Sequence, residues 1–171
     1  MNDPKPKIMI LCEDLAHYRL LRSFLDAQGL RHLPPRFSPA GRGAAEEYVR
    51  KQYATERRAF RGKRNHLALI LLVMIDGDGH PHAERLRLFE REDDESIIIF
   101  IPQRNIESWF NYFKIGKIDE KNDFRHAYRK HVAHREVAAQ LLKLCRTDEN
   151  TIPHSLNAAR GEWRRVVAGL L

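Results

Sequence analysis

Leu67-Ala68-Leu69-Ile70-Leu71-Leu72-Val73-Met74-Ile75-Asp76-Gly77-Asp78-Gly79 decides the fold of this chain. Its first nine residues are apolar and uncharged, the pattern of a strand buried on both faces, as in a parallel sheet covered by helices. The D-x-D at its end places two carboxylates at the mouth of such a sheet, where the interleaved glycines let the backbone turn sharply. Crowded carboxylates repel, so the arrangement is costly unless a cation neutralises it. All-oxygen donors favour a hard ion, Mg²⁺ or Mn²⁺, over zinc. Parallel α/β sheets bind their ligands at the carboxyl ends of the strands.

Upstream, Ile8 to Cys12 is a second apolar run, and it too ends in acid, Glu13-Asp14. Asp14 is placed to cap a helix reaching about Gln28, with Leu15, Tyr18, Leu21 and Leu25 on its apolar face and Gly29 as its stop. Leu33 to Pro39 holds three prolines and allows at most an edge strand or extended loop. A second helix is expected from about Ala44 to Arg61, with a thin apolar face of Ala45, Val49, Tyr53 and Phe60. Downstream of the D-x-D, His82 to Glu92 reads as helical and Ile97 to Ile101 as a buried strand closed by Pro102. Helices are then expected at Ile106 to Phe113, Phe124 to Cys145 and Ser155 to Leu170.

Strands alternating with helices argue for an α/β fold: about four mainly parallel strands, helices on both faces and a helical C-terminal extension. No repeat or linker divides the chain, so one domain is expected over residues 1–171, with a core at about 7–113 and the extension at about 114–171.

The 171 residues carry a formal net charge of +7, which suits a polyanionic partner. The longest apolar runs are about half what a membrane helix needs, and the N-terminus has no signal-peptide core, so neither a membrane span nor export is expected. Cys12 and Cys145 lie far apart and read as small buried apolar residues of a cytoplasmic protein. Arg36, Arg42, Arg50, Lys51, Arg57, Arg58, Arg61, Lys63 and Arg64 crowd the stretch before the D-x-D strand. They read either as a solvated helix face or as an electrostatic track, with Arg42, Arg57, Arg58, Arg61 and Arg64 leading a phosphate backbone to a metal.

Glu13 at the end of a first strand, followed by a helix and a later strand ending in Asp76-x-Asp78, resembles the TOPRIM superfamily of Mg²⁺-dependent catalytic domains. That superfamily includes topoisomerases, bacterial primases and OLD-type nucleases. Ile101-Pro102-Gln103-Arg104-Asn105-Ile106-Glu107-Ser108-Trp109-Phe110 is similar to a segment of small stand-alone TOPRIM-like proteins of bacterial defence and mobile elements. The resemblance covers about residues 7 to 113 and departs at Asp14, where a glycine is usual, and between Leu33 and Arg64, where no clear second strand is legible.

The resemblance implies a metal-dependent nuclease of phage defence or mobile-element biology, with a DNA or RNA partner and a partner ATPase left open. Asp76 and Asp78 would hold Mg²⁺ or Mn²⁺, and Glu13 would act as general acid/base or complete the metal's oxygen set. Neutralising either aspartate should relieve repulsion at the strand mouth. Glu107 reads either as a further metal ligand or as a glutamate favoured by a helix dipole. Arg104 reads as a phosphate contact or as a salt bridge to one of the carboxylates. Trp109 and Phe110 read as core. His80 and His82 flank Pro81 next to the D-x-D; His126, His131 and His134 share one expected helix at spacings unsuited to zinc. The competing classes are a non-catalytic nucleic-acid binder, a receiver-like signalling domain and a D-x-D transferase. A receiver needs a later Lys-Pro strand and a transferase a nucleotide-binding glycine loop, and neither is legible here.

Overall fold

Two-residue alternation along the apolar runs sets the layers. The computed structural model describes residues 5–38, 45–128 and 133–168. Its elements run β1 (Lys7–Cys12), α1 (Leu15–Asp26), β2 (Arg31–His32), β3 (Arg36–Phe37), α2 (Ala45–Lys63), β4 (Leu69–Met74), α3 (His82–Leu86), β5 (Ile97–Phe100), α4 (Ile106–Ile115), α5 (His134–Arg146) and α6 (His154–Val167).

β1 and β4 lie side by side at the centre, in register from Lys7 against Leu69 to Cys12 against Met74. β5 adds to β4, β2 and β3 both pair with β1, and every pairing is parallel. The described residues therefore form five strands rather than about four. β2 and β3 share one edge position; Leu33 still donates to the Ile8 carbonyl at 2.8 Å, and the ladder breaks at Pro34-Pro35 because proline has no N–H to give it. Among the described residues no strand follows Phe100, and no helix is long and apolar enough to cross a membrane.

Ile8, Ile10, Cys12, Ile70, Leu72 and Met74 face one core, shared with α1, α4, α5 and α6. Met9, Leu11, Leu71, Val73 and Ile75 face the other, against α2 and Phe89. The chain leaves β1 through α1 toward β2, and leaves β4 through α3 toward β5, so the two exits diverge. A crevice opens at such a switch of direction, between the carboxyl ends of the two strands.

Three expected helices differ. α1 buries His17, Leu20, Leu21, Phe24 and Leu25, while Leu15 is exposed; an all-apolar stripe had rotated the face away from the histidine. α3 stops at Leu86 rather than Glu92 because Phe89 turns in against Tyr53, whose hydroxyl donates to the Glu90 carbonyl. The helix expected from Phe124 begins only at His134: Asp123 holds the Arg125 N–H, and the Tyr128 hydroxyl donates to Asn111, pinning this stretch as turns against α4.

Candidate functional site

Glu13 follows β1 and Asp76 follows β4 by two residues, so both border the crevice. The Asp76 N–H donates to Glu13 Oε1 at 2.8 Å. Asp76 Oδ1 accepts from the Ile106 N–H at 2.9 Å, capping α4, and meets His17 Nε2 at 3.0 Å. Each carboxylate thus has one oxygen tied to the protein. Among the described residues, Glu13 Oε2 and Asp76 Oδ2 receive no hydrogen bond.

His17 is a residue of this site that the sequence did not single out. Asp14 caps α1, and its Oδ1 accepts both the His17 backbone N–H at 3.0 Å and the ring Nδ1–H at 2.8 Å. Ionised carboxylates only accept, so with one at each ring nitrogen the imidazole donates from both. Burial alone would depress His17, but Asp76 and Asp14 outweigh it and hold it well above its usual value. Asp14, despite its own burial, falls to about 2 through the same contact. The signal was present in the sequence: a histidine three residues past an N-cap aspartate, in line with Leu20, Leu21 and Phe24.

The Gly77-Asp78-Gly79 turn is laced to the exit of β5 by three backbone bonds, from Gly77 to Pro102 (2.7 Å), Asp78 to Arg104 (2.9 Å) and Gly79 to Gln103 (2.9 Å). Asp78 takes φ +51° and Gly79 φ +76°, the left-handed region that short polar residues and glycine tolerate. A Cβ on Gly77 would lie 2.8 Å from the Pro102 carbonyl oxygen and closer still to that of Gln103. Gly77→Ala is therefore expected to destabilise the fold by at least about 2 kcal/mol, read as a lowered urea midpoint, since backbone cannot yield as a side chain can.

Buried Arg85 donates to the Gly77 carbonyl at 3.0 Å, pairs with Glu46 of α2 at 3.0 Å and reaches Asp78 at 3.4 Å. Arg125 reaches the other Asp78 oxygen, also at 3.4 Å.

These internal cations do not fully compensate the acids. Burial, then Asp76, pushes Glu13 up to about 7. Burial and Asp76 also raise Asp78, against Arg85, Arg125 and Arg104. Glu107 follows Ile106, whose N–H Asp76 accepts, in the first turn of α4, and burial, with Asp76 adding to it, raises it. Among the described residues no three His, Cys, Asp or Glu side chains form a ready-made metal-holding group. The donor set is nonetheless all oxygen, with two carboxylate oxygens unclaimed and three carboxyls above their ordinary range. That chemistry fits a hard divalent ion.

Arg104 makes no salt bridge to these carboxylates among the described residues. Its Nη1 touches the Asp78 carbonyl at 3.3 Å, and its Nε is buried without a partner. Trp109 and Phe110 are core, 0% and 2% exposed. His82 lies against His154, ring centres 5.7 Å apart, and His80 is exposed beside it. His126 sits in the turn before α5, His134 begins α5, and His131 lies outside the described residues.

The basic helix points elsewhere. α2 meets the crevice at Glu46, through Arg85, and runs back to the opposite edge, where Arg57 and Arg61 bind Glu95 just ahead of β5. Fifteen residues at 1.5 Å each separate Glu46 from Arg61, about 20 Å. Arg64 stands at 4.0 Å from Glu95, Arg58 is exposed on the same half, and Arg42 lies outside the described residues. No family model, curated protein or solved structure matches this chain.

Proposed function

We propose that this chain is a TOPRIM-like, Mg²⁺- or Mn²⁺-dependent phosphodiester-processing enzyme that acts on nucleic acid. One observation carries the reading: Glu13 and Asp76 border the switch point of a parallel sheet, each with one oxygen tied and one left to the crevice. Asp76 and Asp78 would hold the ion, with Glu107 as a further oxygen donor. Bound there, a divalent cation supplies Lewis-acid polarisation of a phosphoryl oxygen.

The remaining work falls to side chains of the chain itself. Glu13, at about 7, stands between acid and base near neutral pH, so its free Oε2 can take or give a proton at the attacking or leaving oxygen. Arg104, whose guanidinium lies beside the D-x-D turn with Nη1 3.3 Å from the Asp78 carbonyl, orients a phosphate oxygen. A phosphate backbone would be met at the crevice by Arg104 and Arg125 rather than by the far half of α2. A role in phage defence or mobile-element biology and dependence on a partner ATPase extend this reading.

Labelled DNA and RNA panels incubated with Mg²⁺, Mn²⁺ or EDTA test it; cleavage is expected with either metal and none with EDTA. Non-catalytic nucleic-acid binding is the second reading, favoured by the neutralisation that His17, Arg85 and Arg125 already give the acids. Tight binding with no metal-dependent cleavage of any substrate would replace the first reading with the second.

A further inference from the structure

His17 joins two carboxylates that lie on different exits of the sheet. It is 1% exposed, and its ring bridges Asp14, three residues before it, and Asp76, 59 residues after it. A histidine that served only the helix cap would need Asp14 alone. Here Asp14 fixes the ring through Nδ1 and thereby aims Nε2 at the strand-end carboxylate.

Asp76 Oδ1 takes a second donor, the Ile106 N–H of α4. Two donors from two helices converge on one oxygen and fix rotation about the Cβ–Cγ bond. One donor alone holds that rotation more loosely and lets the carboxylate plane tilt away from the crevice.

We propose that His17 is a positioning residue that holds the plane of the Asp76 carboxylate so that its second oxygen is presented to the crevice, a role that rests on the metal-dependent reading above. The partner that orients a ligating carboxylate commonly carries about 10–100-fold in metal affinity. His17 acts through Asp76 and touches neither substrate nor metal.

The test separates position from charge. A glutamine amide nitrogen reaches about as far as imidazole Nε2, and an asparagine amide about as far as Nδ1. His17→Gln therefore keeps a donor for Asp76, while His17→Asn keeps only the contact to Asp14. Both remove the same ring charge, so the difference between them reads which carboxylate keeps its donor rather than the charge.

Mn²⁺ is titrated by calorimetry into the full chain and both variants, with thermal melts alongside. His17→Asn is expected to bind Mn²⁺ about tenfold more weakly than His17→Gln, with the two melting within a few degrees of each other. Equal affinities in the two variants would overturn the role.

Asp14→Ser keeps a cap for α1 but frees the ring, and keeps the argument testable should either His17 variant fail to fold. It is expected to weaken Mn²⁺ binding several-fold, and wild-type affinity in it would also overturn the role. A wild-type chain that binds no Mn²⁺ overturns the metal reading itself, and the role of His17 falls with it.

Discussion

Asp76→Asn is expected to lower Mg²⁺-dependent cleavage about a thousandfold or more. The substitution hardly changes volume, and the amide carbonyl can still accept from Ile106 and His17, as Oδ1 does now. What changes is the crevice side, where an NH₂ donor replaces the free oxygen and one ligand charge is lost. Losing about 4 kcal/mol of charge stabilisation in the transition state corresponds to about a thousandfold in rate.

Stability should fall as well, by about 1–3 kcal/mol, because buried His17 then donates to a neutral group. Taken alone, repulsion between strand-end carboxylates implies the opposite sign; the histidine beside Asp76 reverses it. Cleavage rate and thermal melting measured on one preparation separate the two effects. Undiminished cleavage by Asp76→Asn would rule out the metal mechanism. Glu13→Gln makes a useful companion: inactivation is expected with Mn²⁺ binding largely kept, since the role assigned to Glu13 is proton transfer.

The long strands β1, β4 and β5 were legible because burial on both faces leaves a continuous apolar run. Glu13, Asp76 and Asp78 were legible for a related reason: each lies within three residues of the end of such a run, so the sheet itself dictates where they gather. The edge position was harder to read. Two strands of two residues each, separated by prolines, carry no periodicity long enough to detect.

His17 was hidden by a different mechanism. Amphipathic reading seeks apolar residues, and a histidine that completes the buried face of α1 looks like an interruption of it. Its distant partner, Asp76, cannot be read from spacing along one helix. The same holds for Arg57 and Arg61. Their density on α2 allowed a solvated face or a track for phosphates, while their partner lay more than thirty residues downstream in the acidic run Glu92-Asp93-Asp94-Glu95.

That partner supports the second large effect: Glu95→Ala is expected to destabilise the fold by about 3–5 kcal/mol. The Glu95 carboxylate is fully buried. It accepts from Arg57 Nη2 at 2.9 Å and Nε at 3.2 Å, from the Glu92 N–H at 2.8 Å, and from Arg61 Nε. Removing it strands Arg57, itself only 16% exposed, without its carboxylate. Burial alone would raise Glu95, but Arg61, the Glu92 amide and Arg57 outweigh it and hold the group at about 2.

A carboxylate lowered from 4.5 to about 2 on folding contributes stability that is fully present above 4.5 and is lost as pH falls toward 2. The integrated amount is about 3 kcal/mol. Urea unfolding of wild type and Glu95→Ala at pH 7, 4.5 and 2.5 should show a gap that is widest at pH 7 and mostly closed at pH 2.5. A constant gap, or none, would mean that the buried pairing does not hold α2 to the sheet. The same geometry governs any test of the basic helix. Changing Arg57, Arg58, Arg61 and Arg64 together to glutamine removes the Glu95 pairing along with the surface charge, so any change in nucleic-acid binding it produced would mix a destabilised fold with a lost surface charge. Arg58→Gln alone leaves Glu95 satisfied, and at the far end of α2 it should leave binding at the crevice unchanged.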